Sequence, residues 1–436
     1  MIERIAFILL VGGGGFFAFT KFKTIYRNIM LGRKESIPGN LKAMLLIALG
    51  QGKMFKRPVA AMLHVVIYVS FVITQIELIE IFVDGLFGTH RFVFHLWEGI
   101  PFLKGLYVFT ISFIEVLSLL TFFVTIAFLW RRNLLTIPRF HMAEMKGWAK
   151  KDGNIILFLE IILLTNIFLM NTADMAAHNG EYGFLISGFF ASVFEGMDYS
   201  TLMVLEKIGW WGHMVTVMTF LIYLSYSKHL HILLAFPNTF FTRQQPKGYI
   251  ANMDSVTKEV KLMMNPDAAF AAPADGAEEA PVKFGAKDVL DLSWKNILEA
   301  YTCTECGRCS AQCPANMTGK LLSPRKIMMD TRDRIEEIGK NMDANGGVWK
   351  DDGKSLIENG YISVEELRAC TTCNACVEEC PVNISPLDII VQLRRSLIME
   401  DSNSPAEWNG MFSNLENNGA PWQFSQQDRL NWANEK

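Results

Sequence analysis

Hydrophobic positions are unevenly spread along the chain: most fall before about residue 240, and the remainder has the mixed pattern of a soluble protein. Five runs, 5–20, 59–83, 106–130, 154–170 and 202–234, have the composition of membrane spans. A helix rising about 1.5 Å per residue needs about 20 apolar residues to cross the hydrocarbon layer, so the first and fourth runs are short. A cleaved signal peptide is the alternative for the first run. Against it, Gly12 to Gly15 interrupt the apolar core, and no small-residue cleavage site precedes Lys21 and Lys23. The four glycines instead suggest close approach of a neighbouring helix.

Past residue 240 the pattern changes. Residues 266–281, rich in alanine, proline and acid, have too little apolar content to pack and read as a tether. Beyond them, 324–340 and 363–369 have helical character, and Asn345, Gly346, Gly347, Asp351, Asp352 and Gly353 mark a loop. The expectation is an all-α chain in three parts: membrane helices over 1–240, a linker over 241–283, and a mainly helical domain over 284–436.

Charge adds orientation. The loop after the first run carries nine basic residues from Lys21 to Arg57, and Arg131, Arg132, Arg139, Lys146, Lys150 and Lys151 follow the third. The loop after the second holds Arg91 and Lys104, and residues 171–206 hold no lysine or arginine. Basic loops stay inside, which places the amino terminus outside and the carboxyl-terminal part in the cytoplasm. The formal net charge of -3, without a lysine–arginine stripe, predicts no nucleic-acid partner.

All eight cysteines lie in two runs of one spacing, Cys303-x2-Cys306-x2-Cys309-x3-Cys313-Pro314 and Cys370-x2-Cys373-x2-Cys376-x3-Cys380-Pro381. This is the two-cluster ferredoxin pattern, in which three thiolates of a run grip one [4Fe-4S] cubane and the fourth reaches the other. Cys303, Cys306, Cys309 and Cys380 are assigned to one cluster, and Cys370, Cys373, Cys376 and Cys313 to the second. Zinc would leave the x3-Cys-Pro arm without purpose, and disulfides do not suit a cytoplasmic location.

Histidines are rare within spans because a charge is costly there. His213 and His231, 18 residues apart, fall on one face of a straight helix about 27 Å apart, whereas His229 reads as a cytoplasmic-edge residue beside Lys228. His64, about two turns in from the same edge on the second span, matches the depth of His231. Two such imidazoles are what a six-coordinate haem b requires; two histidines that merely bond neighbouring backbone are the plainer alternative.

Met62-Leu63-His64, His213, and Ser227-Lys228-His229-Leu230-His231 with Pro237 make the membrane part resemble the five-span haem b cytochrome of the nitrate reductase gamma type. That resemblance implies a transmembrane cytochrome b-type bundle with two haems between the second and fifth spans. The chain departs from it at Thr74 and Gln75, where a second histidine is expected. His213 is left without its partner, for which His90, His95 and His178 are candidates; a second haem stays an open alternative. The stretch Phe284-Gly285 … Ser293-Trp294-Lys295 … Cys303-Thr304-Glu305-Cys306-Gly307-Arg308-Cys309, with Ser323-Pro324-Arg325 and Asn417-Asn418-Gly419-Ala420-Pro421-Trp422, resembles the cluster-bearing part of heterodisulfide reductase-type iron–sulfur oxidoreductases. The Cys-Cys-Gly repeats of that family are not in the sequence, so the resemblance implies a separate Cys-Cys-Gly subunit as partner.

Glu77 and Glu80, near the outer end of the second span, are candidate proton acceptors for a quinol; simple interfacial placement is the alternative for Glu80, and helix–helix bonding for Glu115 and Glu160. Together these features predict the electron-transfer subunit of a respiratory quinone oxidoreductase in a bacterial cytoplasmic membrane. Its electrons would pass between menaquinone or menaquinol, haem b, two [4Fe-4S] clusters and a soluble partner, either an electron-transferring flavoprotein or a heterodisulfide-type acceptor. The competing expectation is a membrane-anchored iron–sulfur redox sensor without haem.

Overall fold

The computed structural model describes residues 1–246, 248–265 and 283–435, so the expected tether at 266–281 lies outside the described residues. Among the described residues the secondary structure is helical, with two isolated bridges and no strand. Four helices are long and apolar enough to cross a membrane: α1 (Ile2–Met30), α2 (Pro58–Phe87), α3 (Pro101–Asn133) and α4 (Trp148–Ala177). A fifth span forms if α5 (Tyr199–Leu224) and α6 (Lys228–Phe240) are one bent element. Proline at the first position starts α2 and α3, where its missing N–H costs nothing. Gly88, at φ 69°, ends α2 in the left-handed region that glycine tolerates.

The helices overrun the hydrophobic runs where their end turns pack against the carboxyl-terminal half. In α1, Ile25 and Ile29 are buried in the same apolar cluster as the core of the carboxyl-terminal half. Of the four glycines in α1, only Gly14 meets a neighbour, Met218; Gly12, Gly13 and Gly15 have nothing within 4 Å. Close approach occurs elsewhere: a Cβ on Gly209 of α5 would lie 2.5 Å from the Met170 backbone nitrogen of α4.

A 90° bend separates α5 from α6, so His213 and His231 do not share one straight helix face, contrary to the expectation from their spacing. Local hydrogen bonding replaces the ladder there. The Ser227 hydroxyl accepts from the His229 N–H, and the Asp152 carboxylate of α4 accepts from the Tyr223 hydroxyl (2.7 Å) and the Lys228 N–H (3.2 Å), one on each side of the break.

The carboxyl-terminal half is built on α7 (Trp294–Thr302), α8 (Pro324–Ala344) and α9 (Pro386–Met399). A capping box at Ser293 and Asn296 starts α7. Its core, including Ile297, Ile327, Ile335, Leu367 and Leu393, is continuous with Ile25 and Ile29 of α1 and with Leu230 of α6. Arg334 of α8 is fully buried and pairs with Asp288 (2.7 Å) and Asp352 (2.6 Å). Arg334→Ala leaves both acids facing an empty cavity and is expected to cost about 3 kcal/mol, read as a lower denaturant midpoint for loss of cluster absorbance; an unchanged midpoint would contradict this role.

Candidate functional site

The two cysteine runs have the same local build. Cys303 ends α7 and Cys370 ends the helix Val364–Ala369. Left-handed residues follow at matching positions, Glu305 and Gly307 in the first run and Thr372 and Asn374 in the second. Each loop therefore curls back on its cysteines before a short helix, Arg308–Ala311 or Ala375–Glu379. The two proline-flanked arms cross. Cys380 joins Cys303, Cys306 and Cys309 in lining one cavity, with Cys376 also at its wall. Cys313 lies within electrostatic reach of Cys370 and Cys376, as does Cys373. Burial pushes the Cys303 and Cys376 thiols up to about 12 and Cys380 to about 11. Thiolates at these depths need compensating positive charge, and an iron cluster supplies it.

His64 of α2 and His231 of α6 face one another with ring centroids 6.5 Å apart. Two metal–nitrogen bonds of about 2 Å with the ring half-widths come to roughly 6 Å, close to this centroid spacing. Both Nδ1 atoms are committed: that of His64 donates to Gln51 Oε1 at 3.0 Å, that of His231 to the Lys228 carbonyl at 3.1 Å. These bonds hold each ring in the tautomer whose Nε2 carries no proton and is open to a metal. His229, expected as an edge residue beside Lys228, stacks on His231 with ring centroids 5.5 Å apart, and its Nδ1 is buried without a partner.

Residues at or beside the braces of the histidines also hold the cysteine loops. Lys228 carries the carbonyl bonded by His231, and its Nζ pairs with Glu305, between Cys303 and Cys306, at 2.6 Å. Arg332 holds the other oxygen of Glu305 at 2.8 Å. On the His64 side, two residues after Gln51, Lys53 donates to the Val377 carbonyl (3.1 Å), and its own carbonyl accepts from Arg308 (3.4 Å). Arg139 adds positive charge; burial, with the nearby Arg57 and Arg131 guanidiniums, pushes it down to about 10, and its Nε is buried without a partner.

His213 is buried in mid-span, its Nδ1 3.4 Å from the Leu163 carbonyl of α4. His178 lies 15 residues further along α4, about 22 Å away by helical rise. His90 stacks on His178 at 5.2 Å, and His95 lies beside Tyr182 in the same outer group. None of the three therefore reaches His213 to share a haem with it. Glu77 and Glu80, each 3 % exposed, are closed into a network with Arg91, Asp174, Asn171 and Tyr107. Arg91, expected as a loop charge, is its buried centre. The spacing of Glu77, Glu80 and Asp84 along one helix face was the available sign that a cation sits there.

A family model described as a 4Fe-4S dicluster domain matches residues 295–381. The chain is 25% identical to the probable iron-sulfur-binding oxidoreductase FadF of Bacillus subtilis, over 95% of this chain and 58% of that protein. It is also 25% identical to the EtfAB:quinone oxidoreductase of Syntrophomonas wolfei, over 93% and 55%. A third relative is one of the polypeptides of the dihydromethanophenazine:CoB--CoM heterodisulfide reductase of Methanosarcina mazei, 27% identical over 34% of this chain and 36% of that one. The chain thus spans a little over half the length of the first two. No solved structure matches. An iron–sulfur electron-transfer protein in the role of an oxidoreductase subunit, with membrane-spanning helices, accounts for these likenesses.

Lys228→Met and Glu305→Gln should each weaken cluster retention at elevated temperature. Because the two side chains act on one another, the double variant should lose less than the sum, with a coupling of about 1–3 kcal/mol. Strict additivity would show that the pair is not a joint.

Proposed function

We propose that this chain is the membrane-bound electron-transfer subunit of a respiratory quinone oxidoreductase. In this reading haem b and two [4Fe-4S] clusters, when bound, carry single electrons between menaquinone in the bilayer and a soluble partner. The observation that carries the proposal is the pair His64 and His231 with ring centroids 6.5 Å apart, His231 braced by Lys228, which also holds a cysteine loop, and His64 by Gln51, two residues before the loop-bonding Lys53. His64 and His231 would be the axial ligands, oriented by Gln51 and the Lys228 carbonyl. Cys303, Cys306, Cys309 and Cys380 would hold the nearer cluster, and Cys370, Cys373, Cys376 and Cys313 the second. Arg57, Arg131, Arg139 and Arg308 supply positive charge for haem propionates and for the anionic clusters. His213 has no histidine partner in reach, so one haem is assigned.

The basic ends of the spans meet the cluster-bearing half: Lys21 pairs with Glu336 and Lys56 with Glu378. With basic loops inside, the clusters would lie in the cytoplasm of a bacterium and the amino terminus outside. The named function of the Syntrophomonas relative favours electrons arriving from an electron-transferring flavoprotein and leaving to menaquinone. Because every cysteine of the sequence is used by the two motifs, a Cys-Cys-Gly iron–sulfur subunit or region would be needed between flavoprotein and clusters.

The test is a dithionite-reduced minus oxidised spectrum with haem and iron counted. One b-type haem and about eight non-haem irons per chain are expected. His64→Ala and His231→Ala should each abolish the haem band and leave the iron; His213→Ala should leave both. Gln51→Leu should weaken haem retention by about 10- to 100-fold. Cys380→Ser should perturb the same paramagnetic signal as Cys306→Ser, and Cys313→Ser the same as Cys373→Ser. Clusters without haem in the unaltered protein would overturn the proposal and favour the sensor.

A further inference from the structure

The outer end of the bundle carries a cluster of metal-ligating side chains that the redox reading does not use. We propose that His90, Asp174 and His178 form a binding site for a single borderline divalent cation such as Zn2+, separate from the redox cofactors. His90 lies in the turn after α2, and Asp174 and His178 at the carboxyl-terminal end of α4. One ligand atom from each lies within 4.8 Å of the other two. Asp174 Oδ1 is 2.7 Å from His178 Nδ1 and 3.4 Å from His90 Nε2. Donors around a tetrahedral zinc with bonds of about 2.0 Å stand about 3.3 Å apart, so small movements gather the three around an ion.

The surroundings suit a ligand set. Asp174 Oδ2 accepts from Arg91 Nε at 3.1 Å, which aims Oδ1 at the two imidazoles. The Asp174 side chain is 1 % exposed, whereas His90 is 38 % and His178 24 % exposed, so an ion enters from the outer aqueous side. His178 Nδ1 also lies 3.2 Å from the Asp174 carbonyl, a contact the ring gives up when it loses its proton to a metal. Glu206 of α5, buried and within electrostatic reach of His90 and Asp174, is a candidate fourth ligand. Two nitrogens and a carboxylate select zinc or a similar transition ion over Mg2+ or Ca2+, which take all-oxygen sets. Bound there, the ion ties the α2–α3 connection to the end of α4, above the buried Arg91 network.

The test uses the full chain in detergent, tag removed, with clusters and haem loaded. After a chelator wash it is incubated with micromolar ZnCl2 or MgCl2, desalted, and its metals counted by mass spectrometry. About one zinc per chain should be retained, and no magnesium. His90→Ala, in an exposed turn, and His178→Gln should each weaken zinc retention by roughly tenfold or more while iron and haem counts stay unchanged; His95→Ala should retain zinc. No retained zinc in the unaltered protein, or equal retention in the His90 and His178 variants, would overturn the site. Since iron and haem are counted separately, this outcome does not depend on the proposed electron path.

Discussion

The ion pair between Lys228 and Glu305 is the joint on which the rest of the arrangement depends. It is made by a residue at the bend of the last membrane element and a residue between the first two cysteines of a cluster loop. Both side chains are nearly sealed from water, and burying two charges costs several kcal/mol per ion unless every lone pair and proton is used. Here they are used: Lys228 Nζ also donates to the Ala149 carbonyl and lies 3.6 Å from Asp152, and Arg332 takes the second oxygen of Glu305. A pair satisfied in this way specifies geometry more than it adds stability. The same residue that grips the cluster loop orients His231 through its backbone.

Continuity of the core makes that geometry rigid. The end of α1 runs into the apolar core of the cluster-bearing half, where Asn28 donates to the Tyr301 hydroxyl at 3.0 Å. The backbone of Arg33 bonds both Leu292 and Trp294. Arg325, fully buried at the start of α8, bonds the Arg139 carbonyl and Glu144 of the loop after α3, and its backbone N–H donates to Ser310 of the first cysteine run. The cluster-bearing half is thereby built onto the bundle through α1, the loop after α3, and α6.

The cysteine spacing was fully legible because it encodes local chemistry: residue type, interval and proline suffice to recognise the dicluster pattern. Four of the five apolar runs were legible as long helices, but not their ends, since end turns such as Ile25 and Ile29 are held by long-range packing that hydropathy does not see. The bend after Leu224 was hidden for a related reason. Both arms are apolar, and the serines that break the helix are too few to interrupt the run, so an even 18-residue interval suggested one straight face. His64 and His231 still lie near one another, with ring centroids 6.5 Å apart, because the bend falls before His231 and turns α6 toward the start of α2. Arg91 was misjudged because counting basic residues in loops cannot distinguish a solvated charge from one drawn inward by three acids.

The proximity of the histidine pair to the nearer cluster is the central claim, and magnetic relaxation measures it whichever way electrons flow. In oxidised protein frozen and then reduced by irradiation at liquid-nitrogen temperature, which traps added electrons on clusters beside haem that is still oxidised, the signal of the Cys303–Cys306–Cys309 cluster should relax faster in the unaltered protein than in His231→Ala protein lacking haem. Identical relaxation in the two would contradict the account, for it would mean that no paramagnetic iron sits between His64 and His231 close to that cluster.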